Sequence, residues 1–245
     1  MAGQAFGWAV LAASALLIGA VLALVVRVGR RALGLAMAFG AGVLISAVAF
    51  ELVHEAFAVG GGGEVAVGLA AGALVFYLGD TAIHRLGGAH RKRSHGGQAG
   101  GSALAIVLGT VLDGVPESIV LGLTVLDAGT VSVAVLAAVF LSNLAESLAA
   151  TTGLAAAGWP RTAVLGMWAL VVLTCGLSAL LGVAALAGAG SGVVAFILSF
   201  AGGAILTMLA DTMMPEAFEF GGRLVGLLTT LGFGLAFALS VQAPL

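Results

Sequence analysis

Eight runs of the chain, at about 6–26, 32–59, 65–83, 102–126, 131–154, 162–186, 192–218 and 222–241, are almost wholly apolar and are separated by short polar or glycine-rich breaks. A helix needs about 20 apolar residues to cross the hydrocarbon of a bilayer, and lipid offers no partner for backbone N–H and C=O groups outside the segment itself. The runs therefore predict membrane-spanning helices. A membrane β-barrel would instead show alternating segments of about ten residues, and these runs are continuous. Composition points the same way: 61% of the 245 residues are hydrophobic and only 8% are charged, where a soluble domain carries about 25% charged residues. A cytosolic enzyme, a secreted disulfide scaffold and a disordered chain are excluded. What is expected is one all-α polytopic membrane domain over 1–245. The one cysteine, Cys175, has no partner for an internal disulfide and reads as buried apolar filler. No basic residue precedes the first run, so it reads as a span rather than a cleaved signal.

The net charge of −2 says little, but the placement of the cations says much. Arg27, Arg30 and Arg31 follow the first run, Arg85, Arg91, Lys92 and Arg93 the third, Arg161 the fifth and Arg223 the seventh. With alternating spans all nine share one side, which the positive-inside rule makes cytoplasmic. Both termini are then outside, in a multi-pass protein of the cell (inner or plasma) membrane. The opposite loops carry only Glu64 and Asp127. His84, His90 and His95 lie in the glycine-rich segment 84–101, the one long loop, and read either as loose metal contacts or as part of a linker that fixes orientation.

A repeat lies within the chain. Phe39 to Gly61 aligns without a gap on Phe200 to Gly222, matching Gly42 with Gly203, Glu51 with Thr212, Glu55 with Glu216, and Ala56-Phe57 with Ala217-Phe218. The two segments cross in opposite directions under the topology above. The expected architecture is thus an inverted repeat, helices 1–3 against 6–8 around central helices 4 and 5, as in many secondary transporters with a midplane site.

Carboxylates inside spans cost about 2.5 to 3.5 kcal/mol each on insertion scales and are functional candidates by default. Span four reads VLDGVPESIV, with Asp113 and Glu117 one turn apart and Pro116 between them; the proline withdraws a backbone donor. Span five reads FLSNLAESLAA, with Asn143 and Glu146 on one face beside Ser142. Packed together, Asp113, Glu117, Asn143, Glu146 and Ser142 would form an oxygen-rich pocket for a divalent cation. Without a cation or protons, three such carboxylates repel one another. Interhelical hydrogen bonding is the plainer alternative. Glu51, His54 and Glu55 lie toward the outer end of span two, and Asp211 and Glu216 toward the inner end of span seven. They suit the approach and release of an ion, or simple interfacial snorkelling.

These residues resemble those of the ZIP (Zrt/Irt-like) divalent metal transporters. The family carries a span-four pattern close to His-Asn-x-Pro-Glu-Gly, here Asp113-Gly114-Val115-Pro116-Glu117-Ser118, and a span-five pattern close to His-Glu-x-Pro-Glu-Gly, here Ser142-Asn143-Leu144-Ala145-Glu146-Ser147. The resemblance covers nearly the whole chain. It implies that Glu117 and Glu146 are the bridging glutamates of a binuclear site, with Asp113, Asn143 and Ser142 at other ligand positions and Gly114 replacing a ligand outright. It also implies transport of a divalent metal into the cytoplasm by alternating access, with zinc the family default. The all-oxygen set here shifts preference toward Mn or Fe, and Co and Cd are further candidates. No cofactor is expected beyond the transported ion. The expected partners are divalent metal ions and the lipid bilayer, with a homodimer left open and no nucleic acid. Two rival readings are a non-transporting metal sensor or scaffold of the same fold, and an intramembrane metal-dependent enzyme. The spans hold one histidine, His54, and no interior lysine or arginine, which argues against an enzyme.

Overall fold

The computed structural model describes residues 1–88 and 103–242, so His90 and His95 lie outside the described residues. The fold is all-helical among those residues. In chain order the helices are α1 (Ala2–Val25), α2 (Arg30–Ala47, continuing through a π-helical turn Val48–Val53 into His54–Gly60), α3 (Gly62–Ile83), α4 (Ala103–Ala128), α5 (Val133–Ala156) and α6 (Arg161–Leu186). Then come α7 (Ser191–Met208, continuing through a π-helical turn Leu209–Met213 into Met214–Gly221) and α8 (Val225–Gln242). The 24 residues of α1 rise about 36 Å at about 1.5 Å each, enough for hydrocarbon about 30 Å thick.

Seven helical stretches among the described residues are long and apolar enough to cross a membrane, against the eight expected. The difference lies at the end of the chain, where α7 and α8 run into one stretch, Ser191–Val241, of 51 residues. That stretch is not a straight rod. Gly222 takes φ +64°, a left-handed conformation that glycine adopts without steric cost, and a 3₁₀ turn Gly222–Leu224 follows it. Gly40 of α2 abuts Met213, and Gly202 abuts Val48 and Val53, so α2 and α7 are antiparallel. Gly42 meets Thr229 and Phe233 while Glu51 is bonded by Ser240, so α8 runs parallel to α2. The chain therefore reverses direction at Gly222.

The helix boundaries recur at one constant shift. Arg30–Ala47 and Ser191–Met208 are both 18 residues long, and the shift that carries Arg30 to Ser191 also carries Val48 to Leu209, where each π-helical turn begins. It carries Gly61, at φ +90°, to Gly222. Packing repeats as well. Gly42 sits against the Thr229 carbonyl and Gly232 against the Phe39 carbonyl where α2 meets α8; Gly203 sits against the Leu69 carbonyl and Gly72 against the Phe200 carbonyl where α3 meets α7. Backbones approach this closely only where a side chain is missing.

Burial divides the bundle into layers. The central helices α2, α4 and α5 are mostly covered, whereas α1, α3 and α6 turn most of their surface outward. The outward surface is apolar, with Leu74 and Leu78 of α3 and Leu173, Leu177 and Leu181 of α6 exposed. In water such contiguous apolar faces would drive aggregation; against lipid they are at home. The main core joins α2, α4, α5 and α7 around Met37, Leu44, Leu121, Val139 and Met213. A second core between α1, α5 and α6 holds Trp168, 1% exposed, whose Nε1 donates to Thr151 Oγ1 at 2.8 Å.

Candidate functional site

Helices α4 and α5 carry most of the buried polar residues; Asp80 of α3 and Glu216 of α7 are buried as well. Asp113 is 3% exposed, Glu117 2%, Asn143 4%, Glu146 4% and Ser142 is fully buried. Burial at this level is costly for a carboxylate unless a partner, a proton or a cation compensates it. Gly40 of α2 makes room for α5 at this depth: a Cβ there would lie 3.3 Å from the Ser142 Cα and 3.5 Å from the Ala145 Cβ. The hydroxyls are directed differently. Ser142 Oγ donates to the Val139 carbonyl at 3.0 Å within α5, and Ser147 Oγ turns to α1, donating to the Ala15 carbonyl at 3.4 Å.

Cys175 of α6 is buried in the second core, as expected of apolar filler. Sequence reasoning missed its neighbours: the thiol meets Ser118 and lies within electrostatic reach of Glu117 and Glu146. The thiol also donates to the Gly114 carbonyl at 3.8 Å, and the same carbonyl accepts from Ser118 Oγ at 2.7 Å. A Cβ on Gly114 would stand 2.9 Å from the Cys175 sulfur. The sulfur therefore fills the space that a side chain at position 114 would need. Nothing in sequence spacing connects residues 61 positions apart on different helices. Gly114→Ala is expected to cost about 1–3 kcal/mol through overpacking. The pair Gly114→Ala, Cys175→Ala should recover most of that cost, read as a double-mutant cycle in thermal unfolding.

Glu117 also lines a small cavity whose other lining residues are all apolar, among them Leu44, Leu52, Val120, Val135, Val139 and Ile205. Val120 lies one turn beyond Glu117 toward the α4–α5 junction, and Val135 lies close to that junction.

The outlying candidates scatter. Glu51 is half-buried in the π-helical turn of α2 and accepts hydrogen bonds from Ser132 Oγ at 2.8 Å and from Ser240 Oγ. His54 is exposed and Glu55 half-buried. Asp211 is exposed, while Glu216 is only 3% exposed and belongs to the interior. His84 is exposed and pairs through Nε2 with Asp80 Oδ2 at 3.3 Å, one turn back on α3. The central candidates Asp113, Glu117, Asn143, Glu146 and Ser142 are thus buried on α4 and α5, while His54, Asp211 and His84 are exposed. Among the described residues, no three His, Cys, Asp or Glu side chains close around one point as a preformed metal group. No protein-family model and no curated protein matches the chain, so the functional reading rests on the residues themselves.

Proposed function

We propose that the protein is a ZIP-like carrier that moves a divalent metal ion into the cytoplasm by alternating access, with its ion site on α4 and α5. One observation carries this reading: Asp113, Glu117, Asn143 and Glu146, none more than 4% exposed, sit on two central helices of an apolar bundle. Intramembrane carboxylates facing a bundle interior mark ion pathways. The oxygen donors suit Mn or Fe as well as zinc.

Eight spans arranged as an inverted repeat are part of the proposal. The constant shift that maps α2 onto α7, the matching π-helical turns and the antiparallel course of those two helices support it. So does the reversal at Gly222. Arg27, Arg30, Arg31, Arg85, Arg161 and Arg223 then share one end, taken as cytoplasmic, and both termini face out. Transport would proceed by rocking one repeat against the other around α4 and α5.

Uptake of Zn, Mn, Fe(II), Co and Cd into proteoliposomes tests the reading. Concentration-dependent, saturable flux of at least one ion is expected; no flux of any of them through folded, reconstituted protein overturns it. The second reading is a metal sensor or scaffold of the same fold. Equilibrium metal binding without flux is its signature.

A further inference from the structure

We propose that Glu51 is a latch that holds the end of the bundle opposite the arginines closed. The inference deepens the carrier reading and takes its functional meaning from it.

Glu51 is placed to tie four helices. Its carboxylate accepts from Ser132 Oγ at 2.8 Å and from Ser240 Oγ of α8. Ser132 is the N-cap of α5, where its Oγ accepts from the Val135 N–H at 3.3 Å, and its own N–H donates to Thr124 Oγ1 of α4 at 3.3 Å. One carboxylate on α2 therefore links α8, the first turn of α5 and, through Ser132, the last turns of α4. Hydrogen bonds to an ionised group are about twice as strong as neutral ones. Beside the latch, Phe50 packs on Phe233 and Phe237 of α8 with ring centroids 6.0 and 4.9 Å apart. Next to it lie Leu52, Val135 and Val139, apolar residues that line the same cavity as Glu117.

The shift that relates α2 to α7 places Thr212 where Glu51 stands. The matching glycine contacts pair Thr229 with Leu69 and Gly232 with Gly72, and so place Asp80, a buried carboxylate, where Ser240 stands. Two halves that keep the same helix boundaries thus put the carboxylate on different helices, on α2 at one end and on α3 at the other.

The test uses a reporter cysteine, Val139→Cys, in a Cys175→Ala background, with a charged thiol reagent added in nanodiscs without metal. A second reporter, Ala145→Cys, lies closer to the arginine end. E51A is expected to speed labelling at position 139 by about tenfold or more, the scale set by losing hydrogen bonds to a charged group, and to leave position 145 unchanged. The double variant S132A/S240A should do the same, and combining it with E51A should add nothing further. Labelling at position 139 that stays at the starting rate in both E51A and S132A/S240A overturns the latch. These two routes remove the same bonds from opposite sides, and E51Q, which keeps the side chain's shape, gives a third should either variant fold poorly. The carrier reading fails separately: protein that carries no metal, but whose reporter responds to E51A, loses transport and keeps the latch.

Discussion

Replacing Glu117 and Glu146 together with alanine is expected to abolish metal flux in proteoliposomes while leaving the bundle folded. Both carboxylates are buried, at 2% and 4% exposure, on the two central helices, and both act on the same neighbourhood around Cys175. Losing groups that merely support metal ligands costs about 10–100-fold in affinity or activity, so removing two ligands should lower flux by about two orders of magnitude or more. Stability should stay close to level, because relief of the burial cost of two carboxylates offsets the cavities that alanine leaves. The two readouts therefore separate. Flux lost with the unfolding temperature held identifies an ion site; flux kept at the wild-type rate removes α4 and α5 from the path. A variant that unfolds would show the carboxylates to be structural glue.

Gly42→Val should have the largest effect on folding. Even a Cβ at this position would press on the Thr229 carbonyl and come within 3.0 Å of the Phe233 nitrogen. Neither contact is the end of a flexible side chain, so α2 and α8 must separate. Overpacking costs about 1–3 kcal/mol in cores that can yield, and here backbone faces backbone. Gly72→Val should do equal harm between α3 and α7, where the Phe200 carbonyl occupies the same place. Gly166→Ala on α6 is the control: nothing lies within 4 Å of a Cβ there, and alanine is the better helix former by about 1 kcal/mol. Thermal unfolding in detergent, with yield after extraction, measures all three. Gly42→Val and Gly72→Val variants as stable as the wild type would contradict the close pairing.

Much of the fold was legible because hydrophobic length is written directly in the chain. The runs at 32–59 and 192–218 locate α2 and α7 to within a few residues. The alignment of Phe39 to Gly61 on Phe200 to Gly222 ends at the two glycines that stop the helices in left-handed backbone. The π-helical turns at Val48–Val53 and Leu209–Met213 were not legible, since one extra residue per turn leaves an apolar run apolar. At the site, the burial of Asp113, Glu117, Asn143 and Glu146 follows from carboxylates and an amide placed inside long apolar spans. The role of Cys175 was hidden, because its neighbours come from α4 and α5. Glu51 stood out as a deep charge, but its two partners lie 81 and 189 residues away and are ordinary serines at the ends of helices. Spacing reports what shares a helix face; it is silent on what another helix brings.

The parallel pairing of α2 with α8 also has a consequence for biosynthesis. Gly42 and Thr229 are joined across most of the chain, and at about 5–20 residues per second a ribosome needs roughly ten to forty seconds to make the intervening segment. During that interval the glycine face of α2 sits in the bilayer without the helix that covers it. A nascent chain stalled or cut before Val225 leaves that face bare, an open groove by which membrane quality control can distinguish an unfinished protein from a complete one.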